Sequence, residues 1–136
     1  MTPTIEAVGI AVGVGCRRHC PPEVLATLVS AALEGAGLSV DDVSLLASLV
    51  DKADTPAIVA LAERHGWPLQ TLPAAQLALY EHRLSHKSEA ARRVHGTPGV
   101  AEAAALASLE QQGGSARLLL PRRHNRWATV AIATAG

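Results

Sequence analysis

One stretch constrains the fold most: the apolar run of residues 5–14 (IEAVGIAVGV), which leads directly into GCRRHC and two prolines. A run of small and β-branched residues with almost no polar position is typical of a strand buried on both faces, at the centre of a sheet covered by helices. The two prolines preset the first turn of a helix. The loop between them lies where open α/β sheets bind ligands, and Arg17 and Arg18 in that loop favour an anion.

The same order of strand, loop and helix returns further along the chain. The apolar spacing of Glu23–Leu33 indicates a helix, Val43–Val50 (VSLLASLV) a second buried strand, and Pro56 the first turn of a second helix. We further expect a strand at Trp67–Leu72, helices at Ala74–Arg83 and Val100–Leu109, and strands at Ala116–Leu120 and Trp127–Ala133. The polar link Pro121–Arg126 favours an antiparallel hairpin. These features predict a single α/β domain over residues 1–136, with three α/β/α layers and a mixed, mostly parallel sheet of about five strands.

Composition excludes several classes of protein. Lys and Arg number 12, as do Asp and Glu, so the formal net charge is zero, whereas a general nucleic-acid binder carries a strong positive excess. Aromatic residues make up 2% of the chain, too few for a platform on which single strands stack. No apolar run approaches the length of a membrane span, and the start MTPTIEAVG lacks the basic flank of an export signal. We expect a cytoplasmic protein with neither nucleic acid nor membrane as partner.

Polar residues that follow the strands define the expected ligand edge. Parallel strands joined by helices place their carboxyl-end loops at one edge, so Lys52 and Asp54 are expected near Arg17 and Arg18. A solvated salt bridge between Lys52 and Asp54 is the alternative. The further positions expected to hold an anion are Thr97 and Gly99, near the free amides of a helix start, and Arg122 and Arg123 in the hairpin link.

The stretch Arg83–His95 breaks the apolar rhythm with a run of histidines, arginines and a lysine. Most charge runs of this kind are solvated surface. Long polar connections in small domains are also often functional, so a basic flap over the ligand edge is the other interpretation. The sequence leaves both open.

Motifs for cofactors and metals are incomplete. Gly13 and Gly15 match the first two glycines of a dinucleotide fingerprint, but Arg18 occupies the third position, where a bulky side chain keeps helix and strand apart. Cys16, His19 and Cys20 match no zinc spacing. We therefore predict no metal centre and no cofactor.

Cys16 is a candidate nucleophile, because a helix amino terminus and two arginines beside it are expected to favour the thiolate. No histidine is placed by the sequence as its base. The catalytic residues thus stay unknown, with Cys16, His19 and Asp54 as candidates.

Four segments together resemble the CobE family, which is also the CbiG carboxyl-terminal domain family of cobalamin biosynthesis. They are GIAVGVGCRR, KADTP, TPGVAEAAALA and RHNRWATVAIATA, in the family's order and across nearly the whole chain. The resemblance implies a role in making the corrin ring. Longer members are similar to a cobalt-precorrin hydrolase that opens a ring lactone, and the stand-alone form is associated with the aerobic route.

The resemblance also implies a ligand, a precorrin or hydrogenobyrinic-type tetrapyrrole that carries acetate and propionate groups. We expect binding or carriage of such an intermediate, with two alternatives: a precorrin-modifying enzyme such as a lactone hydrolase, and a non-catalytic subunit that docks onto another pathway enzyme. The residues expected to bind the ligand are Gly15, Cys16, Arg17, Arg18, Lys52, Asp54, Thr97, Gly99, Arg122 and Arg123.

Overall fold

Strands and helices alternate along most of the chain in the computed structural model, which describes residues 9–95 and 98–135. The elements are β1 (Ile10–Cys16), α1 (Pro22–Gly35), β2 (Leu45–Leu49), α2 (Pro56–His65), β3 (Leu69–Leu72), α3 (Ala74–Ala78), α4 (Glu89–His95), α5 (Val100–Glu110), β4 (Ala116–His124) and β5 (Ala128–Ala135). Short 3₁₀ turns lie at Val40–Asp42, Val50–Lys52 and Glu81–Arg83. The predicted α/β fold is confirmed, whereas the predicted start of the first strand at residues 5–8 lies outside the described residues.

The sheet has five strands in the order β3-β2-β1-β5-β4. The pairs β1–β2 and β2–β3 are parallel, and β5 runs antiparallel to both β1 and β4. All strands except β5 therefore point the same way, which confirms the mixed, mostly parallel sheet. The carboxyl ends of β1, β2, β3 and β4 meet at one edge.

Strand β1 lies at the centre because its side chains are apolar on both faces. Val12 and Val14 point to a core formed with α1 and α2, and Ala11 points to a second core formed with α3 and α5. Helices thus cover both faces of the sheet, as the three-layer prediction requires. Within the described part of the chain, no helix combines the length and apolar character needed to cross a membrane.

Helix α5 lies directly on the middle of the sheet. A Cβ atom added to Gly13 of β1 would stand 2.0 Å from the carbonyl oxygen of Ala101. Glycine at this position and a run of alanines in α5 let the two backbones approach closely. Residues Val100–Leu109 are buried as a result, and the amino terminus of α5 reaches the carboxyl-end edge of β1.

The predicted antiparallel hairpin of β4 and β5 is confirmed, but its connecting turn is shorter than predicted. Strand β4 continues through Pro121 to His124, so the predicted polar link Pro121–Arg126 is wrong. Pairing between β4 and β5 shifts register twice, and such irregularities let an edge strand accept proline and outward arginines. The turn itself is pinned by Asn125, whose side-chain oxygen accepts hydrogen bonds from the amides of Trp127 (2.7 Å) and Ala128 (2.8 Å).

Two predictions for residues 74–95 also need correction. The helix expected over Ala74–Arg83 ends at Ala78 and resumes only as the 3₁₀ turn. The polar stretch Arg83–His95 contains α4, which Ser88 caps by accepting a hydrogen bond from the amide of Ala91 (3.1 Å). Helix α5 begins at Val100 as predicted, with Gly99 at its cap.

Candidate ligand-binding cleft

A cleft of about 410 Å³ opens at the carboxyl-end edge of β1. Its walls come from the end of β1, the 3₁₀ turn after β2, the amino terminus of α5, helix α4 and the turn between β4 and β5. The fold therefore gathers five segments that lie far apart in the sequence at the place where open α/β sheets bind ligands.

The rim of the cleft is basic. Arg17, Lys52, Arg122, Arg126 and His124 all line it. The amide of Arg17 donates to the carbonyl oxygen of Trp127 (2.9 Å), a bond that fixes the β1–α1 loop against the hairpin turn. Cationic side chains from three separate segments thus surround one opening, an arrangement suited to an anion with more than one negative group.

One wall of the cleft is apolar. Ala91 and Val94 of α4 contribute to it, as do Val100 of α5 and Trp127. Val94 is 74% exposed, a large exposure for a β-branched apolar side chain on a short helix. A basic rim beside an apolar wall fits a ligand that is apolar on its face and anionic at its periphery.

Helix α4 is held in place by an ion-pair network with Arg92 at its centre. Its guanidinium bonds both carboxylate oxygens of Glu81 (2.9 and 2.8 Å) and lies 3.3 Å from Glu89. The hydrogen bond from Arg92 lowers the pKa of Glu81 and outweighs its partial desolvation. The amide of Ser88 also donates to the carbonyl oxygen of Pro98 (3.0 Å). The stretch predicted as solvated surface or as a flap therefore forms a wall of the cleft.

Glu102 is the acid among the lining residues, and it is 1% exposed. Its carboxylate accepts hydrogen bonds from the amide of Ser85 (2.8 Å), the hydroxyl of Ser85 and the amide of Arg122 (2.8 Å). Glu102 thus connects α5 to the segment before α4 and to β4. Glu102 was not among the predicted site residues, although a lone acid in the first turn of an Ala-rich apolar helix is a signal visible in the sequence.

Cys16 lines the cleft and is buried, as is Cys20. Burial, together with the nearby Cys20 thiol, raises the pKa of Cys16 to about 12, and the charge of Lys52 offsets only part of this rise. Burial also raises the pKa of Cys20. The expectation that the loop favours a thiolate at Cys16 is therefore wrong, because desolvation exceeds the effect of the neighbouring charge.

The structure brings some of the expected ligand residues together and separates others. Those that line the cleft are Gly15, Cys16, Arg17, Lys52, Gly99 and Arg122. Those that do not are Arg18, Asp54 and Arg123, together with His19 from the catalytic candidates. Thr97 lies outside the described residues. The predicted neighbourhood of Lys52 and Arg17 is present, whereas Asp54 and Arg18 are exposed beyond the lining.

Arg122 and Arg123 point to opposite faces of the sheet because successive residues of a strand alternate. Arg122 faces the cleft and α5. The Arg123 guanidinium instead packs at the carboxyl end of α1, where a Cβ atom on Gly35 would stand 3.0 Å from its Nη1. A pair expected to act together in one loop is thus divided between two sites.

Comparison with known proteins finds relatives that are CobE or other cobalamin biosynthesis proteins. The chain is 36% identical over 130 residues to Protein CobE from a Sinorhizobium species, covering 96% of this chain and 82% of the relative. It is 38% identical to a crystal structure of CobE, described as a protein from the cobalamin (vitamin B12) biosynthetic pathway, with a TM-score of 0.90 over 95% of this chain and 92% of that one. Cobalamin biosynthesis protein chiG from Agrobacterium tumefaciens is 30% identical, with a TM-score of 0.69 over 91% and 96%.

A family model described as Cobalamin synthesis G C-terminus matches residues 10–133, nearly all of the described chain. This match and the similarity to CobE confirm the family that the four segments indicated. The chain therefore belongs to the CobE family, the CbiG carboxyl-terminal domain family, and is a protein of cobalamin biosynthesis.

Proposed function

We propose that this protein binds a carboxylate-rich tetrapyrrole intermediate of cobalamin biosynthesis in the cleft and carries it between pathway enzymes in the cytoplasm. The observation that carries the proposal is the pairing of a basic rim with an apolar wall in one cleft. A precorrin or hydrogenobyrinic-type ring has apolar faces and acetate and propionate groups at its edge. The rim cations would bind the carboxylates, and Val94 and Trp127 would contact the ring.

The size of the cleft supports carriage over engulfment. A volume of about 410 Å³ lies towards the lower end of the range for pockets that enclose drug-sized ligands, roughly 300–1,000 Å³. A tetrapyrrole is larger than such ligands, so part of the macrocycle would stay outside the cleft. A partly covered intermediate is protected on one side and accessible to the next enzyme on the other.

The chemistry of the lining favours binding over turnover. Cys16 is the one catalytic candidate that lines the cleft, and its buried thiol has a pKa raised to about 12. His19 and Asp54 do not belong to the lining. Both oxygens of Glu102 already accept hydrogen bonds from the protein. Charge-assisted hydrogen bonds contribute roughly 1.5 to 3 kcal/mol each, so three or four support micromolar affinity after the cost of association.

The experiment is a titration of the protein with hydrogenobyrinic acid and with its fully methyl-esterified form, followed by gel filtration and mass analysis of the bound pigment. We expect the acid to co-elute intact and the ester to bind more weakly. Arg17→Ala should weaken binding of the acid roughly tenfold, since one charge-assisted bond is lost. Arg18→Ala is the matched control, because the neighbouring arginine lies outside the lining, and it should leave the affinity unchanged.

Two results would overturn the carrier function. A chemically altered pigment formed by substoichiometric protein would make the protein an enzyme. Failure of the wild-type protein to bind or change either pigment would favour a subunit that docks onto another pathway enzyme.

A further inference from the structure

Glu102 stands at a junction between two walls of the cleft. Its donors belong to two segments: Ser85 precedes α4, and Arg122 belongs to β4. Ser85 lies 17 residues before Glu102 in the sequence, and Arg122 lies 20 residues after it. A carboxylate at 1% exposure is unfavourable unless its oxygens are hydrogen-bonded, and here both are. One side chain, Glu102, therefore contacts both the segment before α4 and strand β4.

The donors to Glu102 are uncharged groups: two backbone amides and a hydroxyl. Arg122 gives its backbone amide to Glu102, but its guanidinium is not among the ion pairs of the described residues. The Nε atom of Arg122 is buried and has no hydrogen-bond partner among those residues. A buried charged donor without an acceptor is destabilising, and an anion in the cleft would supply the missing acceptor.

We infer that Glu102 is a positioning residue for carboxylate recognition: it fixes the backbone of Arg122 so that the guanidinium, Nε included, receives a carboxylate of the ligand. Through Ser85 the same side chain also contacts the segment that leads into α4. This inference rests on the proposed function and assigns one cation of the rim a distinct part in it.

Arg122 differs from the other rim cations in its burial and in the hydrogen bond to its backbone. Arg17 and Arg126 are exposed, and their charges act at the mouth of the cleft. Arg122 is half-buried, and its backbone amide donates a hydrogen bond to Glu102. A preorganised, partly desolvated guanidinium binds a carboxylate more strongly than an exposed one, because less side-chain freedom is lost and less water screens the charges.

A double-mutant cycle on hydrogenobyrinic acid binding tests the inference. Arg122→Ala should weaken binding roughly ten- to hundredfold. Glu102→Gln keeps the shape of the side chain but turns an NH₂ group towards one of the two backbone amides, and it should weaken binding by about tenfold or less. Because Glu102 acts through Arg122, Glu102→Gln should change the affinity less than twofold in the Arg122→Ala background.

Glu110→Gln is the matched control. Glu110 lies on the same helix, accepts a hydrogen bond from another β4 amide, that of Ala116 (2.9 Å), and is remote from the cleft lining. A general disturbance of α5 or β4 would appear in both glutamine variants, whereas a positioning effect would appear only in Glu102→Gln. Urea unfolding of each variant shows that the comparison is made on folded protein.

A measurement without ligand supplies a second test. The ¹H–¹⁵N signal of Arg122 Nε should exchange slowly in the wild type, and it should shift or exchange faster in Glu102→Gln but not in Glu110→Gln. An unchanged signal in Glu102→Gln overturns the inference, as does an equal loss of affinity in the presence and absence of Arg122. If the wild type binds and the cycle is additive, only the positioning inference fails. If the wild type binds no pigment, the proposed function fails and the ligand role of Glu102 fails with it.

Discussion

The two ends of helix α5 are built on the same plan and differ in charge. At the carboxyl end Glu110 accepts hydrogen bonds from the amide of Ala116 (2.9 Å), the hydroxyl of Tyr80 (3.1 Å) and the guanidinium of Arg83 (3.1 Å to each oxygen). At the amino end Glu102 likewise accepts from a β4 amide and from a residue of the 80–88 segment. Both acids therefore fasten β4 and the same excursion of the chain to one helix.

The difference lies in the cations. Arg83 pairs with Glu110, donates to the carbonyl oxygen of Ala116 (2.6 Å) and lies 5.4 Å from the centre of the Tyr80 ring. Arg83 and Glu110, the two charged groups of this cluster, therefore both have partners inside the protein. At the other end the donors to Glu102 within residues 9–95 and 98–135 are all uncharged, and the nearby Arg122 has a buried Nε with no acceptor among these residues. The carboxyl end of α5, where the charges are paired, has a structural role. At the amino end, the incomplete end, a ligand would supply the missing acceptor for Arg122.

The largest effect is expected from Gly13→Ala. This variant tests whether the sites at both ends of α5 depend on the close packing of this helix against β1. The added Cβ would stand 2.0 Å from the backbone oxygen of Ala101, so α5 must move away from the sheet. We expect a loss of about 3 kcal/mol of unfolding free energy in urea titrations, together with weaker pigment binding. Gly15→Ala is the control, since its nearest contact is the Thr129 hydroxyl at 3.2 Å, a side chain that can rotate. Equal stability of the two variants would contradict the close packing of α5 against β1 at Gly13.

Glu110→Gln should lower stability by about 2 kcal/mol without changing pigment affinity, because Arg83 and the Ala116 amide lose a shared acceptor. Burial raises the pKa of Glu110, but the hydrogen bonds from Ala116, Arg83 and Tyr80 outweigh it, so the net pKa lies below its usual value of 4.5. Its stabilising contribution is thus present above pH 4.5 and is lost as the pH falls through the lowered pKa.

The measurement is urea unfolding of wild type and Glu110→Gln at pH 7 and at pH 3. The difference in unfolding free energy should shrink as the pH falls, because the wild-type carboxylate becomes protonated. A difference that stays constant between the two pH values would show that the carboxylate charge contributes nothing at this end. A loss of pigment binding at pH 7 would show that the two ends of α5 are not independent.

Much of the fold follows from local pattern, and the cleft follows only in part. The apolar runs predict β1 and β2, and parallel pairing brings the segments after them together, which is why Arg17 and Lys52 share the cleft. Asp54 also follows β2, but it lies beyond the 3₁₀ turn at Val50–Lys52 and therefore does not line the cleft. Short turns of this kind leave little trace in the sequence.

The other errors arose where long-range contacts decide the structure. The segment Pro121–His124 has the composition of a loop, yet it forms an edge strand whose backbone pairs with β5. Glu102 resembles a solvated first-turn acid until the fold supplies donors from Ser85 and Arg122. Helix α4 was more accessible to prediction, because Ser88 before Glu89 is an ordinary cap signal.

A smaller effect is expected from Arg123→Ala, which sharpens the contrast around Arg122. The Arg123 side chain packs by Gly35 on the far face of the sheet, so its loss should change pigment affinity less than twofold and stability by about 0.5 kcal/mol. Binding and urea titrations beside Arg122→Ala measure both quantities. Equal losses of affinity in Arg122→Ala and Arg123→Ala would contradict the assignment of these two side chains to opposite faces of β4.

The smallest signal is expected from Cys16, and it tests whether the incomplete end of α5 offers a nucleophile as well as a cation. With a pKa of about 12, the thiolate fraction at pH 8 is on the order of one in ten thousand. Iodoacetamide labelling of the folded protein, followed by mass analysis of the Cys16 peptide, should therefore be far slower than labelling in urea. Because both thiols are buried, Cys20→Ser serves as the control that assigns any labelling to Cys16. Fast labelling at pH 8 would restore Cys16 as a candidate nucleophile and favour the lactone hydrolase over the carrier, whereas slow labelling leaves the charge of Arg122 as the feature that distinguishes this end of the helix.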